Sequence, residues 1–114
     1  MRIIAEGEFH REIWLRLPSK SILGVRSVSG PGRSGAIASV YASHILGIPW
    51  IPYGAKVPDS LRPLLIIDTA QSSGRTLRKA MSQMSGDMCA AVYNEPPNIK
   101  FWYEVEPYFS KDQS

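Results

Sequence analysis

Leu64-Leu65-Ile66-Ile67-Asp68-Thr69-Ala70-Gln71-Ser72-Ser73-Gly74-Arg75-Thr76-Leu77 runs from four apolar residues through one acid into a hydroxyl-rich loop closed by Gly, a base and Thr. The unbroken apolar run predicts a central strand of a parallel sheet, covered on both faces. After the loop, Leu77, Ala80, Met81 and Met84 fall at helical spacing, and Gly86 supplies a stop. The unit is therefore strand, polar loop, helix. Ser72, Ser73 and Thr76 offer hydroxyl donors, Gly74 permits close backbone approach, and the amides of residues 72–76 can encircle a phosphate monoester. Asp68, at the strand end, can accept hydrogen bonds from sugar hydroxyls. A phosphate cradle beside a carboxylate describes a ribose-5-phosphate site.

The same unit occurs once more, upstream. Residues 21–29 (S-I-L-G-V-R-S-V-S) are β-rich and lead into Gly30-Pro31-Gly32-Arg33-Ser34-Gly35. Ile37, Val40, Tyr41, His44 and Ile45 then mark one helix face, with Gly47 and Pro49 as stop signals. Short apolar strands are expected at residues 48–53 and 88–93, a helix at residues 8–17, and an edge strand in the aromatic, acidic tail at residues 101–109. This alternation predicts an α/β fold of three layers around a mostly parallel sheet with right-handed crossovers. Such sheets bind ligands beyond the carboxyl ends of their strands. Both loops sit there, each at a helix N-terminus with its unpaired amides and partial positive charge.

The first loop fits two motifs incompletely. It satisfies G-x-G-x-x-G between strand and helix, the mark of a small NAD(P)-binding Rossmann domain. That motif also wants an acid about twenty residues on, where the chain has Tyr53-Gly54-Ala55-Lys56. A phosphate-binding NTPase loop would need Lys-Ser/Thr where Ala36-Ile37 stand.

Length and charge bound the rest. With 114 residues, one domain is expected, divided into an N-terminal element (1–20), a core (21–95) and a tail (96–114). Residues 1–86 carry eleven basic and five acidic side chains, net +6; residues 87–114 carry two and five, net −3. A basic body suits an anionic ligand, and because its cations are scattered rather than clustered with aromatics, they argue for phosphates over nucleic acid. Cys89, the one cysteine, excludes an internal disulfide and sits among apolar neighbours, as a core thiol would. His44, on or beside an apolar helix face, reads as structural. Residues 34–55 lack Lys, Arg, Asp and Glu, but their serines and prolines favour a buried helix and strand over a membrane span. An acid at Glu6 is too early for a secretion signal, so a cytoplasmic protein is expected.

Residues 64–77 resemble the phosphoribosyl-pyrophosphate motif of the type I phosphoribosyltransferases, and residues 25–49 resemble that family's pyrophosphate-loop strand and helix. The resemblance covers roughly residues 20–95. It implies that Ser72, Ser73, Gly74, Arg75 and Thr76 hold the 5′-phosphate, and that Asp68 and Thr69 face the ribose. Ser29, Gly30, Pro31, Gly32 and Arg33 would line the pyrophosphate, with Asp68 and Arg33 as the catalytic candidates. It also implies phosphoribosyl pyrophosphate or a nucleotide as ligand. Mg²⁺ would be bound through that ligand near Asp68, and a nucleobase, more readily a purine, would be the acceptor.

Three departures accompany the resemblance. The family's usual second acid is Thr69, and one lost charged acceptor costs about 1.5–3 kcal/mol; on this reading, Thr69→Asp tightens sugar-phosphate binding. Where a long mobile flap is usual, only residues 54–62 are present, with Lys56 and Arg62 as cations. No segment is left for a base-selecting hood, although Trp102, Tyr103, Tyr108 and Phe109 lie after the fourth strand. Of these, Trp102, Tyr108 and Phe109 are the base-stacking candidates. A non-catalytic, ligand-binding regulator on the same fold is the alternative these departures raise. A small sheet with uncovered edges and aromatic surface also suggests a homodimer.

Overall fold

The computed structural model describes residues 2–17, 24–70, 74–94 and 98–105. The chain alternates strand and helix in the order β1 (Arg2–Ile4), α1 (Glu6–Arg16), β2 (Ser27–Ser29), α2 (Gly32–Leu46), β3 (Leu64–Ala70), α3 (Arg75–Met84), β4 (Met88–Tyr93) and β5 (Ile99–Phe101), with 3-10 turns at Asp59–Leu61 and Trp102–Glu104. β2, β3 and β4 form a parallel sheet with β3 in the centre, in register Ser29↔Ile66 and Asp68↔Ala91.

The apolar run of β3 does what its composition requires. Leu65 and Ile67 pack with Val28, Val92, α1 and α2 on one face. Leu64 and Ile66 pack with Leu77, Ala80 and Met84 of α3 on the other, joined by Ile51 and Val57. Helices on both faces of a parallel sheet give the expected three-layer α/β architecture. No helix among the described residues is long and apolar enough to cross a membrane.

Several details differ from expectation. β1 was not foreseen; it pairs in parallel with β5, forming a second, two-stranded sheet beside the main one. The tail's strand therefore lies at residues 99–101, and from Trp102 the chain turns into a 3-10 helix. The expected strand at 48–53 reduces to one bridge, Val28↔Trp50, because prolines at 49 and 52 lack the amides a ladder needs. Gly47 caps α2 in the left-handed region, but at the end of α3 that role falls to Ser85; Gly86 is small because a Cβ there would meet Met81 Sδ at 2.7 Å and Ile66 Cγ1 at 2.8 Å.

Helix α2 lays its small residues, Gly35, Ala38, Ser39 and Ala42, against the sheet. The expected large-residue face is split: Ile37, Tyr41 and Ile45 are half-buried against the core, whereas Val40 is 38% exposed and His44 is exposed, and Ala36, Ile37, Val40, Tyr41 and Trp50 line an apolar cleft of about 310 Å³. Cys89 is also exposed rather than buried, on the strand whose partner is β3 alone among the described residues. Arg62 is no flap cation: it donates to the Met84 and Ser85 carbonyls and to Asp87, fixing the end of α3 where β3 begins.

Candidate functional site

β2 ends at Ser29, opposite Ile66, while β3 runs on to Ala70, and a helix follows each strand. Only Gly30 and Pro31 separate β2 from α2, so Gly32, Arg33 and Ser34 already form the helix's first turn. Pro31 provides no side-chain cap, and the first intrahelical bond runs from Gly35 N–H to Pro31 C=O at 3.0 Å. The preceding amides are left to the solvent or a ligand. The loop is this tight because glycine meets glycine: a Cβ on Gly30 would lie 2.1 Å from the Gly35 oxygen and 2.5 Å from that of Ile67. Gly32, by contrast, has φ +67° and nothing within 4 Å of its absent Cβ. Arg33 is exposed beside it.

Ser29, the last residue of β2, is fully buried, and its hydroxyl has no hydrogen-bond partner. Its register partner is Ile66, so by strand alternation Ser29 and Asp68 share the α3 face. Asp68 is half-buried, and burial raises its carboxyl above the ordinary carboxylate range. Hydrogen bonds from the Thr69 amide (2.7 Å, to Oδ1) and the Thr69 hydroxyl oppose that shift. Thr69 is only 4% exposed. Its donors serve Asp68, leaving little of it to meet a sugar.

The second helix N-terminus differs. Gly74 caps α3 in the left-handed region (φ 76°), and Arg75 and Thr76, the first two helical residues, are exposed. Ser72 and Ser73 lie outside the described residues, as do Tyr108 and Phe109.

Trp102 packs edgewise or tilted against Phe9, Tyr41 and Tyr103 in an aromatic cluster that ties the tail to α1 and α2. The tail aromatic that reaches the strand ends is its neighbour. Tyr103 stacks on Phe101 at 5.7 Å and shares a 2.7 Å hydrogen bond with Ser34 in the first turn of α2. Its hydroxyl is close enough to Asp68 and Arg33 to feel both charges. Sequence reasoning passed over Tyr103 and Ser34 as a pair because nothing local marks a contact across 69 residues.

Among the described residues, no three His, Cys, Asp or Glu side chains converge as a metal cage would require. Asp68 is compatible with Mg²⁺ in another way, since a single hard carboxylate oxygen can hold the ion or its waters while a bound phosphate supplies further ligands.

A parallel sheet covered by helices on both faces, with β2 and β3 each followed by a helix, defines a three-layer α/β architecture. More particularly, the fold is that of the type I phosphoribosyltransferases, in a minimal chain. It is similar to the xanthine-guanine-hypoxanthine phosphoribosyltransferase of Helicobacter pylori (TM-score 0.72, 15% identity, covering 97% of this chain and 98% of that one). It is equally similar to a purine phosphoribosyltransferase of Pyrococcus horikoshii (0.70, 20%, 94% and 97%). A hypothetical protein of Neisseria gonorrhoeae with bound ppGpp is more distant (0.56, 18%, 88% and 80%). No family model and no curated protein matches the sequence.

Proposed function

We propose that the chain binds a 5-phosphoribosyl ligand across the ends of β2 and β3 and transfers its phosphoribosyl group to a purine base, releasing pyrophosphate. The observation that carries this reading is the pair of open helix N-termini flanking Asp68, on a fold shared with two purine phosphoribosyltransferases. In this reading the 5′-phosphate lies on the loop from Ser72 through Ser73, Gly74 and Arg75 to Thr76. The pyrophosphate lies on the amides of α2, with Arg33 as charge partner and the Ser29 hydroxyl as an added polar group. Asp68 accepts from the ribose hydroxyls, and Thr69 holds that carboxylate in place. Mg²⁺, bound by ligand oxygens beside Asp68, would neutralise charge on the departing pyrophosphate.

In the reaction, the ribose C1–oxygen bond to pyrophosphate breaks and a bond from a base nitrogen to C1 forms. The base loses a proton to solvent or to pyrophosphate. The protein's share is electrostatic: Arg33 and the α2 amides stabilise the charge that builds on the leaving group, and Asp68 stabilises the positive character of the sugar. A soluble dimer would be compatible with the apolar cleft on α2.

Incubation with Mg²⁺, phosphoribosyl pyrophosphate and a panel of bases tests this. Pyrophosphate release with hypoxanthine, guanine or xanthine is expected; release with none of the bases rejects transfer. The second reading, a ligand-binding regulator, is favoured by Thr69 in place of an acid and by the ppGpp-bound neighbour. Tight binding of phosphoribosyl pyrophosphate, a nucleotide or ppGpp without turnover would support it. Tight NAD(P) binding would instead restore the dinucleotide reading of the first loop.

A further inference from the structure

Tyr103 and Ser34 form a contact between the tail and the first turn of α2 that fold stability alone does not require. Tyr103 already holds its place by stacking on Phe101 and packing edge-on against Trp102. Ser34 sits in the first helical turn, where Cα–Cβ bonds tilt toward the helix N-terminus. Its hydroxyl therefore leans toward the end where amides lack partners. A serine hydroxyl has one hydrogen and can accept two more, so what Ser34 offers a ligand depends on what its neighbour does. Burial raises the Tyr103 phenol, so at neutral pH it keeps its proton and is able to donate, while the 2.7 Å contact itself admits either oxygen as donor.

We infer that Tyr103 is a positioning residue: its hydroxyl donates to Ser34 Oγ, which frees the Ser34 hydrogen to point at an anion held on the α2 N-terminus. Tyr103 donates to Ser34, Ser34 donates to a phosphate oxygen that accepts, and each bond polarises the next. This relay rests on the proposed ligand reading and adds a residue to it. It makes the tail responsible for binding at the first loop while leaving the second loop independent.

The test compares inorganic pyrophosphate with AMP, whose single 5′-phosphate belongs to the α3 loop. Tyr103→Phe keeps the ring and its stacking but removes the donor. Pyrophosphate affinity is expected to fall about fivefold, the worth of one net hydrogen bond, with AMP affinity and melting temperature held. Ser34→Ala should lose as much, the double variant no more than Ser34→Ala alone, and Ser34→Thr should retain binding. Unchanged pyrophosphate affinity in Tyr103→Phe, equal loss for both ligands, or additive losses in the double variant would overturn the relay while leaving the ligand reading intact. A wild-type chain that binds neither probe overturns the ligand reading itself, and the relay with it.

Discussion

The two helix N-termini are built on opposite principles. At α2 the backbone is pressed into place, with Gly30 locked between Gly35 and Ile67 in the middle of β3 and with Tyr103 reaching across to Ser34. At α3 the helix opens from one left-handed glycine, and Arg75 and Thr76 stand exposed. On the proposed reading, the tight first turn would hold its amides in one orientation, as stabilising a leaving group requires, and the exposed start of α3 would take the substrate phosphate. The sharpest break in this contrast comes from a single methyl group. Gly30→Ala is expected to cost about 3 kcal/mol, because both neighbours are backbone and cannot yield. Gly32→Ala, with nothing near its absent Cβ, and Gly74→Ala both put a side chain on a positive φ and should cost about 1 kcal/mol each. Urea titration of the three variants decides it: equal losses would mean that the first loop is no tighter than the second.

Thr69→Asp tests the strand between the loops. Counting acids in the motif leads one to expect tighter sugar binding. The structure leads to the reverse, because position 69 is buried and its donors hold Asp68. A second carboxyl there loses the hydroxyl donor and sets two acids side by side, at a cost of about 2 kcal/mol in stability. No gain in phosphoribosyl pyrophosphate affinity is expected by calorimetry; a clear gain would return Thr69 to the ribose.

The proposed phosphate contacts should separate by ligand. Arg33→Ala should weaken pyrophosphate about tenfold, as one solvent-reaching charged contact would, with AMP nearly unaffected. Thr76→Ala should weaken AMP about fivefold and leave pyrophosphate alone. Cross-effects of equal size would show that the two N-termini act as one undivided anion pocket.

How much of this the sequence could reveal depends on how local each signal is. The run at 64–67, the helix starts near Gly32 and Arg75, and the stop at Gly47 each declare themselves within a few residues, and the layers and parallel order follow from them. The face of α2 misleads, because a periodicity count weighs Ile37, Val40 and Tyr41 while the sheet accepts the slimmer side of Gly35, Ala38 and Ala42. Cys89 has apolar neighbours in sequence, yet strand alternation turns it outward at a sheet edge. The pairing of β1 with β5 and the meeting of Tyr103 with Ser34 join the chain's ends to its middle, and only the tertiary fold brings them together. Among the tail aromatics, the sequence could not tell Trp102 from Tyr103. One faces the Phe9 and Tyr41 cluster, the other the strand ends.

The smallest effect concerns Asp68, near the carboxyl end of β3. Burial raises its carboxyl above the ordinary range despite the bonds from Thr69. An acid so shifted favours the fold in its protonated form, and that contribution is lost as pH rises through the raised value. At neutral pH the ionised side chain is therefore a cost to the empty protein. Asp68→Asn, which keeps an oxygen for the Thr69 amide, should raise stability at pH 7 by less than about 1 kcal/mol, since the carboxylate still reaches water. The gain should shrink as pH falls through the raised value and vanish below about 4, the ordinary Asp value, where wild type is protonated in both folded and unfolded states. The same variant should bind phosphoribosyl pyrophosphate more weakly, because a neutral amide accepts poorly from the ribose hydroxyls. Melting curves from pH 3 to 8 check the first part and calorimetry the second. A variant less stable at pH 7 than at pH 4, relative to wild type, would mean that the carboxylate stabilises the strand ends instead of waiting there for a ligand.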